Sequence, residues 1–157
     1  MLNFIPFTSE DFDAYIKLQN EEYANDLILI KEMTFNEALE YSQKEMTKFI
    51  PEGHQTKGHT FLNIIHQNEK IGVLWYWTME GKTAPSIFLC HLYLYEKFRG
   101  QGFGKKALTF LENESQKLGA RELMLHVFGH NKNAIKLYEK FGFSPWSIQM
   151  KKPLLKA

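Results

Sequence analysis

A chain of 157 residues has the length of one domain and can bury roughly 70% of its unfolded surface without disulfides or metal to hold it. Nineteen Lys and Arg against eighteen Asp and Glu leave a formal net charge of +1, which argues against nucleic acid or an anionic membrane as the main partner and makes any anion site local. The single Cys90 forbids an internal disulfide, Met1 to Pro6 lacks the basic start and apolar run of a signal peptide, and the apolar tract Ile87 to Tyr95 is too short to cross a membrane, so we expect one cytoplasmic domain over residues 1–157.

In chain order, Leu2 to Phe7 reads as a short strand stopped by Pro6, and Thr8-Ser9-Glu10-Asp11 is a helix start. Phe12, Tyr15, Ile16 and Leu18 carry helical spacing to about residue 24. Thr34 caps a second helix with Phe35, Leu39, Tyr41 and Met46, ending before Pro51. Glu21, Glu22, Asp26 and Glu32 form an acidic group that is either a solvated face or one side of a cleft. From His59 the period becomes strand-like: Thr60 to Ile65, a turn at Gln67-Asn68-Glu69-Lys70, then Ile71 to Trp77, an antiparallel hairpin. A turn near Gly81-Lys82 leads to a strand from Ile87 to Leu94.

That strand runs into Gly100, Gly102 and Gly104 and then a helix whose apolar stripe is Phe103, Ala107, Leu108, Leu111 and Leu118, capped by Gly119. Alternating glycines before a helix read as a phosphate cradle: N–H groups from Gln101 to Lys105 can turn to one anion, aided by the positive helix end. Lys97, Arg99, Lys105 and Lys106 add local charge. Two other glycine loops are excluded. A dinucleotide fingerprint requires glycine at 105, where Lys105 stands, and a Walker loop requires Ser or Thr at 106, where Lys106 stands. Leu123 to Phe128 then reads as a strand, Asn131 as the N-cap of a helix with inner face Ala134, Ile135, Leu137, Tyr138 and Phe141, and Gly142 as its C-cap; a last strand is expected from Phe143 to Lys151.

The run Arg99-Gly100-Gln101-Gly102-Phe103-Gly104-Lys105 resembles the Q/R-x-x-G-x-G/A pyrophosphate loop of the GNAT family, the acyl-CoA-dependent N-acetyltransferases. The later Leu123-Met124-Leu125-His126-Val127 and Asn131-Lys132-Asn133-Ala134-Ile135-Lys136-Leu137-Tyr138-Glu139-Lys140-Phe141-Gly142-Phe143 resemble that family's L-x-L-x-V and N-x-x-A-x-x-L-Y-x-x-x-G-F ending. The resemblance covers residues 86 to 145. It implies an α/β (α+β) GNAT fold: a mixed, mostly antiparallel sheet of six to seven strands with about four helices, bulged and splayed at the cofactor strand before the glycine loop. It further implies acetyl-CoA as acyl donor and an amine-bearing acceptor, a small molecule or a protein amine, attacked directly in a ternary complex by a monomer or homodimer.

Residue by residue, the resemblance adds Arg99 to the cradle formed by Gly100, Gln101, Gly102, Phe103, Gly104 and Lys105, and it assigns the backbone of Leu92, Tyr93 and Leu94 to the pantetheine and the thioester oxygen. Tyr138 matches the tyrosine that protonates the departing thiolate; its alternative is a packed helix-face aromatic. Asn131 matches the motif asparagine, with a cofactor contact or a purely capping role open. A general base is sought among His91, Glu80, Glu22 and a water chain to any of them, His91 titrating in the right range unless strand alternation turns it from the cleft. No activated Ser or Cys is apparent, and Cys90 reads as packed filler. His54 and His59 lack partners at zinc spacing, so no metal is expected. The reading from another class is a CoA-binding sensor or interaction module without turnover.

Overall fold

The computed structural model describes residues 1–155 of the chain. Nine elements follow in order: β1 (Leu2–Pro6), α1 (Ser9–Ile30), α2 (Phe35–Phe49), β2 (His59–His66), β3 (Glu69–Met79), β4 (Ser86–Leu94), α3 (Phe103–Lys117), β5 (Glu122–Leu125) and α4 (Lys132–Phe141). The strands form one sheet in sequence order, antiparallel from β1 to β4 and parallel between β4 and β5. α1 and α2 lie between β1 and β2, a two-residue turn joins β2 to β3 and a short loop joins β3 to β4, whereas the parallel pair needs α3 as its crossover.

Local chemistry accounts for the boundaries. Thr8 and Asp11 close a capping box on α1, and Thr34 and Glu37 close another on α2, satisfying first-turn donors that would otherwise be orphaned. Gln67 and Asn68 take positive φ, 49° and 63°, the conformation a two-residue hairpin turn requires. β3 accordingly starts at Glu69, inside the turn expected from sequence, and α1 runs six residues beyond its expected end.

Two cores lie on opposite faces of the sheet. On one face Phe7, Tyr15, Ile50, Phe61, Val73 and Trp75 pack with Phe12, Ile16 and Met46 of α1 and α2. On the other, Leu62, Ile64, Leu74, Ile87 and Leu89 meet Phe103, Ala107, Leu108 and Leu111 of α3, with Leu137, Tyr138 and Phe141 of α4 against them. Ala24 and Ala38, both with no exposed surface, let α1 and α2 approach closely, and Ser42 Oγ donates to Asn20 Oδ1 at 2.7 Å inside that seam.

The sheet has five strands where six to seven were expected. The missing one is the strand from Phe143 to Lys151: those residues pair with no neighbour and lie largely in solvent. β5 is also shorter than expected, leaving the ladder after Leu125. Interactions with α1 draw the chain away there: Phe128 stacks on Tyr23 at 6.2 Å, and His130 Nε2 lies 2.7 Å from Asp26 Oδ1.

Candidate active site

β4 carries one more residue than its partner. Trp75 is opposite His91 but Tyr76 is opposite Leu89, so Cys90 bulges from the ladder. The bulge resets side-chain parity. Ile87 and Leu89 face α3 before it, and Leu92 and Leu94 face α3 after it, whereas Cys90 and Tyr93 pack toward α1 and α2. The parallel pairing with β5 ends at Leu89. From Cys90 to Leu94, β4 therefore has β3 on one side and a gap on the other, and none of those five residues is fully buried.

The backbone direction follows from the ladder. Tyr95 N–H donates to Ile71 C=O at 3.0 Å, so alternation turns the Tyr93 and His91 backbone groups toward β3 and those of Leu92 and Leu94 into the gap. Arg99 Nε donates to Leu94 C=O at 2.8 Å, with its guanidinium over the Tyr93 ring. Leu92 keeps both its N–H and its C=O turned to the opening. Of the three strand residues singled out from the sequence, Leu92 and Leu94 reach the gap with backbone groups, and Tyr93 spends its own on β3.

At the end of β4 the chain makes a single turn over Glu96–Phe98 and enters the glycine loop. Gly100 and Gly102 sit at φ +71° and +82°, the left-handed region in which a Cβ is costly. Gln101 Nε2 donates to Lys97 C=O at 2.8 Å, and Lys97 pairs with Glu69. Gly102 is the N-cap of α3 with no capping side chain and no acid in the first turn; the first helical bond recorded is Lys106 N–H to Gly102 C=O at 3.2 Å. α1 and α2 fill their first-turn donors with their own side chains. The N–H groups of Phe103, Gly104 and Lys105 stay open at the positive end of a 15-residue helix, a ready anion site. Phe103 contributes its backbone alone, because its ring is buried against His66 and Phe98. At Gly104 a Cβ would lie 3.1 Å from Leu137, so this glycine sets how closely α4 approaches the start of α3.

Tyr138 lies on α4, half-buried against the α3 core, with Phe143 edge-on at 5.8 Å. Burial raises its phenol above the ordinary value, and no hydrogen bond to the described residues occupies its hydroxyl. Asn131 holds the N-cap position of α4 but makes no side-chain capping bond, which corrects the capping role expected from sequence and leaves the amide exposed. Among the described residues, no group of three or more His, Cys, Asp and Glu is assembled to hold a metal ion.

The candidate bases do not converge on Leu92. His91 Nδ1 lies 2.7 Å from Tyr15 Oη, on the α1 face of the sheet, and burial pushes its imidazole down to about 4. Glu80 follows the end of β3 remote from the glycine loop and pairs with Lys57 at 3.8 Å. Glu22 is exposed on α1. Cys90 has its thiol pushed up by burial and points Sγ at Phe88 C=O at 3.7 Å, a packed thiol and not a reactive one. Tyr15, the fixed partner of His91, was not found from the sequence; its helical spacing marks it only as core. Two surface hollows, one among α3, β5 and the end of α4 and one between α1 and α2, both lie away from Leu92 and the glycine loop.

His91 gives a pH prediction. Its folded value lies below the ordinary 6.5, so between pH 6.5 and about 4 the unfolded chain binds more protons, and stability should fall as pH drops through that window. His91→Gln, which can still accept from Tyr15, should flatten the slope, removing up to ~3 kcal/mol of pH-dependent stability. Urea denaturation at pH 7 and pH 4.5 measures it; identical slopes for both proteins would contradict the buried neutral assignment.

Residues 17–143 match the Acetyltransferase (GNAT) family. The chain is 36% identical over 148 residues to the uncharacterized N-acetyltransferase YdgE of Bacillus subtilis, covering 94% of each chain. It is 31% identical over 150 residues to the uncharacterized N-acetyltransferase YycN of the same organism, covering 95% of this chain and 96% of that one. The crystal structure of YycN superposes with a TM-score of 0.92 at 30% identity, over 99% of this chain and 100% of that one.

Proposed function

The chain belongs to the GNAT acetyltransferase family, and from that premise we propose that it transfers acetyl from acetyl-CoA to a primary amine of a small molecule or protein by direct attack in a ternary complex. One observation carries the reading: the uncapped first turn of α3 stands beside the bare edge of β4. A diphosphate needs several N–H donors in one place, and Gly102 to Lys105 offer them with no side chain competing. Gly100 and Gly102 have open space where a Cβ would stand, which fits a ligand approaching the backbone. Lys105 and Lys106, both exposed, add charge for the anion. Asn131, with its amide unused in capping, is available for a further polar contact.

When bound, acetyl-CoA supplies a thioester carbonyl as the electrophile. The N–H of Leu92 lies on the open edge and is our choice for the oxygen on which negative charge grows. A preorganised backbone donor of this kind contributes about 3 kcal/mol to acyl-transfer barriers. Tyr138 is our choice for the group facing the leaving sulfur. Its phenol stays protonated at neutral pH, the more so for being half-buried, and a thiolate of ordinary pKa near 8.5 is less basic than phenolate. Tyr138 therefore serves best by donating a hydrogen bond as charge builds on sulfur. His91 belongs to the support of the site: it fixes the bulged strand to Tyr15 from the opposite face.

A panel of polyamines, aminoglycosides and peptides with free N-termini or lysines tests the reading. Amine-dependent release of free CoA, corrected for hydrolysis, with a matching acetylated amine is the expected result. Acetyl-CoA binding with no turnover on any amine class would instead identify a CoA-binding module.

A further inference from the structure

α1 crosses the sheet strand by strand. Near its start Asp11 Oδ2 accepts from Asn63 Nδ2 of β2, and Asp11 Oδ1 lies 3.7 Å from Lys70 Nζ of β3. One turn on, Tyr15 reaches Trp75 of β3 and His91 of β4. Further along, Tyr23 stacks on Phe128 and Asp26 meets His130, both in the chain that has left β5. Gln19 stands midway between Tyr15 and Tyr23 on the same side of the helix, while Asn20, Ala24 and Leu27 face α2. From Tyr15 to Tyr23 the helix rises about 12 Å, more than twice the ~4.8 Å between paired strands. Gln19 therefore overlies the gap in which β4 has lost its partner. It is 8% exposed, and among the described residues its amide has no hydrogen-bond partner. The amide is not sealed either, since the sealed, unpaired side-chain atom among those residues is Asn63 Oδ1. Asn20, buried like Gln19, spends its amide on Ser42. An enclosed amide without a partner is costly, and one left open on the side of α1 that overlies the gap is aimed into it.

We propose that the acceptor is a linear diamine, its reacting amine held beneath α1 by Gln19 and its second amine, protonated, held by Glu22. This names the substrate class of the transfer reaction proposed above and rests on that reading. The side chains of Leu92 and Leu94 fill the α3 face of β4, so an amine approaching a carbonyl at the Leu92 N–H comes from the α1 side. There Gln19 Oε1 can accept one N–H of the amine. Having no charge, Gln19 holds the amine in its neutral form and leaves the lone pair free to attack. Glu22 lies on the same stripe of α1, one turn further on, and is exposed, where a carboxylate keeps its charge and draws a cation. One turn of helix rises about 5.4 Å, the span of a chain of about four methylenes. The stacked rings of Tyr23 and Phe128 offer those methylenes an apolar border.

Steady-state kinetics with putrescine, and with butylamine as a chain of the same length bearing a single amine, test this. The expected kcat/KM for putrescine is about fivefold or more above that for butylamine, and Glu22→Gln should remove most of that ratio. Gln19→Leu should lower kcat/KM for both amines by about tenfold or more while acetyl-CoA affinity holds. Its melting temperature should equal or exceed wild type, because an apolar side chain of similar shape replaces an unpaired amide. Equal kcat/KM for the two amines, preference for peptide amines over putrescine, a ratio that survives Glu22→Gln, or wild-type kinetics in Gln19→Leu overturns the proposal and leaves the transfer reading standing. A lower melting temperature in Gln19→Leu overturns it too, by showing the amide paired within the fold. Acetyl-CoA binding without turnover of any amine overturns both.

Discussion

Tyr138→Phe should lower kcat by about 10²-fold or more, the loss typical of one hydrogen-bond donor aimed at developing charge, while acetyl-CoA affinity and melting temperature stay near wild type. The substitution removes one oxygen and keeps the ring that packs on the α3 core and on Phe143. The hydroxyl has no protein partner among the described residues, so its loss orphans nothing, and the stability change should stay within about 0.5 kcal/mol. Burial raises the phenol above its ordinary value, so wild-type activity should show no alkaline loss from this group below about pH 10. Steady-state kinetics at saturating substrates decide it. A kcat within about twofold of wild type would remove Tyr138 from the reaction, and a fall in stability without a kcat defect would reduce it to a core aromatic.

Gly102→Val should abolish measurable acetyl-CoA binding or weaken it by about 10²-fold, since a branched side chain at the mouth of α3 covers the N–H groups that an anion would meet. The left-handed φ of +82° also costs roughly 1–2 kcal/mol of stability when a Cβ is added. Gly119 supplies the control. It sits at φ +68° with nothing within 4 Å of a built Cβ, past the other end of α3, so Gly119→Val should lose similar stability and retain affinity. Calorimetry and thermal denaturation on the pair separate strain from obstruction. Equal losses of affinity in both variants would contradict the cradle.

The parts of this molecule legible in the sequence are those governed by local chemistry. The capping residues Thr8 and Thr34, the glycines around Gly102 and the stripe from Phe103 to Leu111 each act within a few residues of themselves, and the structure places them as their patterns direct. The bulge at Cys90 was expected only through the family resemblance and was not legible in the residues themselves. Nothing in Leu89-Cys90-His91-Leu92 marks an extra residue, because a bulge is defined against the partner strand, and here the partner is Trp75-Tyr76. Its consequence reaches the site. Without it, His91 would share the α3 face with Ile87 and Leu89, and Leu92 would point its side chain at α1. The strand expected from Phe143 to Lys151 does not form: Trp146, Ile148 and Met150 alternate along it, yet no strand among the described residues pairs with it. Periodicity reports the face a segment can present, not the edge it joins. The departure of β5 after Leu125 rests on long-range contacts, Tyr23 with Phe128 and Asp26 with His130, that no local window contains.

The central claim, that the start of α3 and the open edge of β4 together hold an acyl-CoA, is tested most directly by titrating isotope-labelled protein with acetyl-CoA and following backbone amide resonances. The largest perturbations should fall on Gly100 to Lys105 and on Leu92, with Tyr93 less affected because its N–H is engaged by β3. Perturbations that bypass Gly102 to Lys105 and Leu92, or that gather instead at the hollow between α1 and α2, would contradict it.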